Sequence, residues 1–265
     1  FFRWPLASAD AVTPQSPFQY YLLVVILGSL SAMGPLAIDM YLPSFPAIAR
    51  DLGATPSGVQ GTVAIYFIGL AIGQVFYGPI SDRLGRKRPL YFGLLLFIAA
   101  SIGCAFATSV RALVAWRFLQ ALGGCADMVV ARAVVRDRFD PRDSIRVLSL
   151  LILVMGIAPI LAPLIGGQLL VTFGWRSVFW ALAGFAALGF LAVAFLLRES
   201  LSPERRRRDD LGEVFGVYGA LLRDRAYMAY VLSGGLAISG MFAYIAASPF
   251  VFIELFHVAP ERYGL

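Results

Sequence analysis

Four residues set in otherwise apolar surroundings could do chemistry: Asp39, Arg117, Gln120 and Asp127. Asp39 stands in Pro35-Leu36-Ala37-Ile38-Asp39-Met40-Tyr41-Leu42-Pro43, towards one end of a long apolar run. An ionisable group inside a membrane span costs about 2.5 to 3.5 kcal/mol on insertion scales, so something must offset it. Asp39 is either hydrated at an interface or capping a helix broken at Pro43, or it is a carboxylate facing a cavity where it can exchange a proton. On a helix at about 100° per residue, Arg117, Gln120, Gly124 and Asp127 fall within an arc of about 80°. That makes one polar face. Asp39 and Arg117 lie in the outer parts of their apolar runs, at comparable depth, so the two could meet. Such a pair either couples protonation to conformation or bridges two helices structurally. Asp127 is equally open to a coupling role and to a structural one.

The elements that must position these residues are membrane spans. Hydrophobic residues make up 59% of the 265 and charged residues 14%, with a mean hydropathy of +0.77, which excludes a soluble fold. A helix needs about 20 apolar residues to cross roughly 30 Å of hydrocarbon. The sequence supplies seven such runs, near 20–42, 57–79, 89–109, 112–135, 145–170, 177–197 and 227–253. The fold class is therefore an all-α membrane protein.

Cations fix the orientation. Arg83, Arg86, Lys87 and Arg88 follow the second run; Arg136, Arg138, Arg142 and Arg146 follow the fourth; Arg198, Arg205, Arg206, Arg207, Arg208, Arg223 and Arg225 follow the sixth. The alternate loops hold only Arg50, Arg111, Arg176 and Arg262. Short cytoplasmic loops retain Lys and Arg, so the amino terminus and the even-numbered loops are expected inside. The same distribution explains the pI near 9.6 without nucleic acid as a partner. Cys104 and Cys125 lack ligand-like spacing and read as small packing residues. His257, the single histidine, falls in a loop, so neither His-Glu-x-x-His nor a buried Ser-His pair is available to a membrane-embedded enzyme.

Organisation follows from composition. Residues 1–19, with Pro5, Pro14 and Pro17, form a flexible tail; 20–197 hold six spans; 198–226 are a basic linker; 227–265 begin a second group of spans. Within the linker Val214, Phe215, Tyr218, Leu221 and Leu222 recur at helical spacing and predict an amphipathic helix on the inner surface. In the turn Thr172-Phe173-Gly174-Trp175-Arg176, Trp175 reads as an interfacial aromatic. The chain begins with Phe1 and stops where an eighth span would start, and is expected to be a fragment.

Three local patterns carry a resemblance. Gly78-Pro79-Ile80-Ser81-Asp82-Arg83-Leu84-Gly85-Arg86-Lys87 joins two spans and resembles the loop Gly-x-Leu-Ala-Asp-Arg-x-Gly-Arg-Lys of major facilitator superfamily transporters, with Ile80 for Leu and Ser81 for Ala. Gly78 and Gly85 would allow close approach and positive φ, and Asp82 could accept N–H groups at a helix start or pair with Arg86. Arg117-Phe118-Leu119-Gln120-Ala121 resembles the fourth-helix motif Arg-x-x-Gln-Gly, with Ala121 for Gly. Gly156 to Gly167 sets Ala158, Ala162 and Gly166 in one row and Pro159, Pro163 and Gly167 in another. Its ending, with Ala162 for Gly, resembles the fifth-helix motif of antiporters in that superfamily. Asp39 to Pro46 and Arg132 to Asp137 resemble the bicyclomycin-resistance subgroup of drug efflux pumps.

The resemblance implies a six-helix bundle plus the start of a second, related bundle. It implies drug/proton antiport by alternating access in the bacterial inner membrane, multi-pass, with the proton gradient as energy source and no cofactor or metal. Partners would be a small amphiphilic drug, protons and lipid, with a monomer when full length. Asp82 and its neighbours Gly78, Arg83, Gly85, Arg86 and Lys87, joined by Asp137, would latch one conformation; Gly156, Ala162, Pro163, Gly166 and Gly167 would shape the fifth helix. Tyr41, Tyr66 and Phe67 are candidates to line an apolar pocket. An uptake carrier for a metabolite is the alternative, as is a fragment that moves nothing because alternating access needs two bundles.

Overall fold

The computed structural model describes residues 17–207 and 211–264, so most of the expected 1–19 tail, together with Arg208, lies outside the described residues. Its helices are α1 (Pro17–Asp39), α2 (Phe45–Asp51), α3 (Pro56–Leu84), α4 (Lys87–Ala105), α5 (Val110–Arg138), α6 (Pro141–Phe173), α7 (Arg176–Phe195), α8 (Leu211–Arg223) and α9 (Arg225–Pro249). No strand occurs among the described residues. Seven helical segments are long and apolar enough to cross a membrane, matching the seven expected runs. Several outreach those runs because polar caps carry them past the apolar stretch. Thr55, Ser109, Asp140 and Asp224 each accept a backbone N–H at the start of α3, α5, α6 and α9, satisfying donors that a helix start leaves free.

Helix α5 is central. It packs along α3 and α4, and α4 packs on α7, while α1 lies against α6. Small residues make these approaches possible. A Cβ on Gly123 of α5 would stand 2.5 Å from the Phe97 nitrogen of α4 and 2.6 Å from the Gly93 carbonyl, so the backbones are nearly in contact. In lipid, where no hydrophobic force separates helix from solvent, such backbone approach is the main source of packing energy. Cys104 and Cys125 are buried and unbridged, as small core residues.

The α6 motif divides under the same test. Gly166 lies against the Met40 carbonyl just after α1, and Gly167 against the Pro260 carbonyl in a short turn near the end of the chain. Ala162 is fully buried, and Ala158 and Pro163 are buried beside it. Gly156 differs: a Cβ there meets nothing within 4 Å. It is not part of the seam. Gly78 likewise has open space around it inside α3, so the expectation of close backbone approach there is corrected. The turn needs only Gly85, at φ 89°.

Trp175 also departs from the sequence reading. Rather than lying at an interface it is 4% exposed, and its Nε1 donates to Asp51 at 3.0 Å, beside the Arg176–Asp51 ion pair at 2.7 Å. Arg176 also reaches the Ala107 carbonyl at 3.3 Å, so one cation ties three inter-helix connections at this end of the bundle. At the other end, α8 forms over the expected amphipathic stretch. Phe215 meets Phe76 edge-on at 6.1 Å and Tyr218 donates to the Val75 carbonyl at 3.3 Å.

Two alanine substitutions separate the seam from its neighbourhood. Gly166→Ala overpacks against a backbone carbonyl and is expected to cost about 1 to 3 kcal/mol, whereas Gly156→Ala is expected to be neutral or to stabilise by roughly 0.5 to 1 kcal/mol. Thermal unfolding of the detergent-solubilised protein, read as Tm, checks both.

Candidate functional site

Arg117 is the largest fully buried side chain in the bundle, with no exposed surface. Its position on α5 points it between α1, α3 and α4. Nη1 donates to the Ala37 carbonyl of α1 at 3.0 Å and to Gln120 Oε1 at 2.6 Å. Gln120 passes the connection on, donating to Ser101 of α4 at 2.7 Å, and Ser101 donates to the Phe97 carbonyl. The Ala37 carbonyl is available because it is among the last four of α1, which ends at Asp39 and leaves those acceptors without intrahelical partners.

No carboxylate balances this cation by direct contact. The guanidinium instead lies 4.2 Å from the Tyr66 ring centre and 4.8 Å from that of Tyr41. Desolvated cation–π contacts are each worth about 2 kcal/mol. Both tyrosines are fully buried. They enclose Arg117, so the expectation that they line an open pocket is corrected. Thr62 gives its proton to the Val59 carbonyl at 2.5 Å, so Tyr41 is the donor in its 3.0 Å hydrogen bond to Thr62. Within this cluster, Arg117 Nε, Arg117 Nη2 and the Tyr66 hydroxyl have no hydrogen-bond partner among the described residues.

Asp39 and Arg117 do not join. Asp39 closes α1 two residues beyond Ala37, is 7% exposed, and makes no hydrogen bond or ion pair among the described residues. Its electrostatic neighbour is Tyr263, whose hydroxyl bonds that of Ser248. The intended meeting fails because Arg117 is drawn to the α1 backbone rather than to the carboxylate. Asp127, two to three turns along α5 from Arg117, has no exposed surface and both carboxylate oxygens lack a partner. Among the described residues no group of three or more His, Cys, Asp or Glu could hold a metal ion.

An apolar cavity of about 580 Å³ opens between α3 and α9. Gln60, Ala64 and Phe67 of α3 face Ile238, Phe242 and Ala246 of α9 across it, and the Phe67 and Phe242 rings are 4.5 Å apart. Of the three aromatics expected at a pocket, Phe67 is the one there.

A second polar centre occupies the basic end of the bundle. Arg86, 6% exposed, reaches Asp82 at 2.6 Å, Asp137 at 2.7 Å and Ser81 at 2.9 Å. Burial alone would disfavour its charge, yet the hydrogen bonds to Asp137 and Asp82 more than offset this and raise its pKa above the ordinary value. Asp82, Gly85, Arg86 and Asp137 therefore come together as expected; Lys87 turns towards the α7 end, donating to the Ala194 carbonyl at 3.3 Å. Sequence reading missed Glu199. Its carboxylate accepts the backbone N–H groups of Arg86 at 2.8 Å and Lys87 at 3.2 Å, the free donors at the start of α4. Ser200 donates to Asp137 at 3.0 Å and the Arg207 N–H to the Asp82 carbonyl at 2.9 Å. The linker after α7 is thus clamped across the α3–α4 turn. The composition change at Glu199 marked a boundary but not a capping group.

Comparison with known proteins gives a consistent answer. Residues 26–264 match the family model described as Major Facilitator Superfamily. The MFS-type transporter YdgK of Bacillus subtilis is 41% identical over 245 residues, 92% of this chain and 61% of that protein. A bicyclomycin resistance protein homolog of Haemophilus influenzae is 31% identical over 92% of the chain and 61% of the relative, and the multidrug resistance protein MdtL of Escherichia coli 34% over 86% and 57%. The chain thus spans about three fifths of the length of these relatives. A bacterial homolog of the human lysosomal transporter Spinster, in an inward-facing and unoccupied conformation, shares the fold at TM-score 0.75 and 16% identity, over 95% of this chain and 59% of that one.

The clamp has a pH signature. Partial burial works against the charge of Glu199, but the backbone N–H groups of Arg86, Leu201, Lys87 and Ser200 outweigh it and hold its pKa below the usual glutamate value. A depressed carboxylate stabilises the fold above its unfolded pKa and loses that contribution as pH falls through the folded value. The Tm of the wild-type protein is therefore expected to decline on acidification below the ordinary glutamate range, and Glu199→Gln to lower Tm at neutral pH while flattening that decline. Thermal unfolding across a pH series measures both.

Proposed function

The chain belongs to the Major Facilitator Superfamily, and on that premise we propose that it contributes the amino-terminal bundle of a proton-coupled exporter of small amphiphilic drugs. Members of this family are transporters and not enzymes. The sequence falls with the bicyclomycin-resistance group, and likeness to the bicyclomycin resistance protein homolog and to MdtL supports reading the cargo as a drug. Alternating access in the bacterial inner membrane, with the amino terminus and the basic loops in the cytoplasm, accords with the bias of cations to one end of the bundle.

The observation that carries this reading is the grip on the end of α1. Arg117 holds the Ala37 carbonyl from α5 while Gly166 abuts the Met40 carbonyl from α6. Asp39 lies between these two points. A change of charge on Asp39 therefore acts on a helix end held by two neighbours, which is how gain or loss of one proton can move helices. Arg117 with Gln120 forms the mechanical link, and Asp39 exchanges the proton. The apolar cavity between α3 and α9, about 580 Å³, has the size and lining suited to a drug-sized amphiphile. The Asp82, Arg86, Asp137 and Glu199 cluster, at the cytoplasmic end in this orientation, serves as a latch: closing or opening the α3–α4 turn against the linker changes the spacing between bundles. The close contacts of Gly166 and Gly167 keep α6 tight against its neighbours, favouring exchange over a leak.

Export by the full-length protein in an efflux-deficient strain, with proton release from proteoliposomes, tests the assignment. Asp39→Asn is expected to abolish drug-driven proton release, and Arg117→Ala to reduce transport roughly 5- to 150-fold, the span of an ordinary coupling energy. Export by Asp39→Asn with unchanged pH dependence would remove Asp39 from the proton pathway.

A further inference from the structure

Arg117 and Asp127 share one face of α5, and each is fully buried with polar atoms left unpartnered. Tyr66 of α3 lies between them. Its ring covers the Arg117 guanidinium at 4.2 Å, and its hydroxyl, itself without a partner, stands against Gly124, one turn before Asp127. The titratable groups with which Asp127 interacts electrostatically are Tyr66 and Tyr77 from α3 and Cys125 on its own helix. None of these is a cation at neutral pH. The adjoining surfaces of α1 and α4 bring Met128 against Gly34 and Ala126 against Gly93, which are not titratable.

A carboxylate ion at full burial, without a cation or a hydrogen-bond donor, has nothing to offset its desolvation. The packing is satisfied by the neutral acid. The cavity between α3 and α9 does not include Asp127, and among the described residues no group of three or more His, Cys, Asp or Glu gathers there to hold a metal ion, so a proton is the ion that suits this place. We propose that Asp127 is a second proton-binding site of the bundle, separate from Asp39, and that Tyr66 links its occupancy to Arg117. Binding forms an O–H bond on one carboxylate oxygen with a proton drawn from water admitted when the bundle opens; release returns the proton to water on the other side. When the proton leaves, the Asp127 carboxylate attracts the Tyr66 hydroxyl as donor. That draws the ring across the guanidinium and alters the hold of Arg117 on the Ala37 carbonyl. Asp127 thus acts at the far end of the chain of contacts that ends beside Asp39. This deepens the proton-coupled reading above and rests on it, but its test does not require transport.

Infrared spectroscopy of the purified full-length protein in detergent reads the carbonyl stretch of a protonated carboxylic acid free of strong hydrogen bonds. A band of this kind is expected at neutral pH in the wild type and in Asp39→Asn, and its Asp127 component is expected to be lost in Asp127→Asn. A spectrum unchanged by Asp127→Asn overturns the proton site. Because asparagine mimics the neutral acid in size and charge, that variant is expected to reach the membrane in wild-type amounts; failure to do so also counts against the proposal. Tyr66→Phe keeps the ring and removes the hydroxyl. It is expected to retain the band but shift the pH at which it disappears; superimposed titrations would overturn the link through Tyr66. Export by Asp39→Asn with unchanged pH dependence, while the Asp127 band persists, would leave this site standing and change only its coupling partner.

Discussion

A fully buried guanidinium held between two tyrosine rings is the constraint on which the bundle depends. Burial takes the Arg117 guanidinium out of solvent, and among the described residues no carboxylate pairs with it. What stabilises it is distributed: the π faces of Tyr41 and Tyr66, one backbone carbonyl on α1, and Gln120 held in turn by Ser101 on α4. Each support comes from a different helix or from α5 itself. Moving any one of α1, α3 or α4 therefore changes the environment of the same charge, which couples these helices. A lysine would not replace it, because a compact ammonium lacks the flat face that lies along two rings while one edge reaches two oxygens.

The opposite end of the bundle solves a related problem differently. Arg86 is nearly as buried, but two carboxylates meet it and one of them stays substantially exposed, at 39% for Asp82. Removing one partner from a buried pair leaves an uncompensated charge, which costs more than the pair gains. With two acids the arginine retains one if the other is lost. Glu199 adds a contact of another kind, since it caps backbone donors and needs no arginine side chain. The linker is thereby tied to the α3–α4 turn through the main chain and to Asp137 through Ser200. Such a junction can separate as a unit without stranding a buried cation. That suits the latch role proposed for it.

Much of the fold was legible because its signals are local. Apolar run length marked the seven spans, and cation position marked the two ends. The 100° helical advance put Arg117, Gln120 and Asp127 on one face, where the structure has them. The joining of Arg86 with Asp82 was readable from their four-residue spacing. What escaped depends on pairs distant in sequence. Nothing near Tyr66 announces that it covers a cation 51 positions later; nothing at Glu199 announces the start of α4. Gly78 shows the converse error. A glycine beside a recognisable pattern invites a packing role, yet only the neighbouring helix decides whether a Cβ would collide, as it would at Gly166 and would not at Gly156. Asp39 and Arg117 were matched by depth and charge, but an arginine beside a helix end can satisfy itself on a carbonyl left free there before it reaches a side chain.

That last preference bears on how coupling can operate. A direct Asp39–Arg117 ion pair would hold both charges in one fixed state, and breaking it would demand the full cost of separating ions in a low-dielectric interior. With the guanidinium on the Ala37 carbonyl instead, the acid two residues away remains free to gain and lose a proton without first giving up a strong bond. The hold on α1 then feels the charge of Asp39 through the helix end and not through shared atoms. On the proposed proton-coupled reading, a weaker linkage of this kind is reversible by the few kcal/mol that one proton supplies, which a tight buried pair would not be.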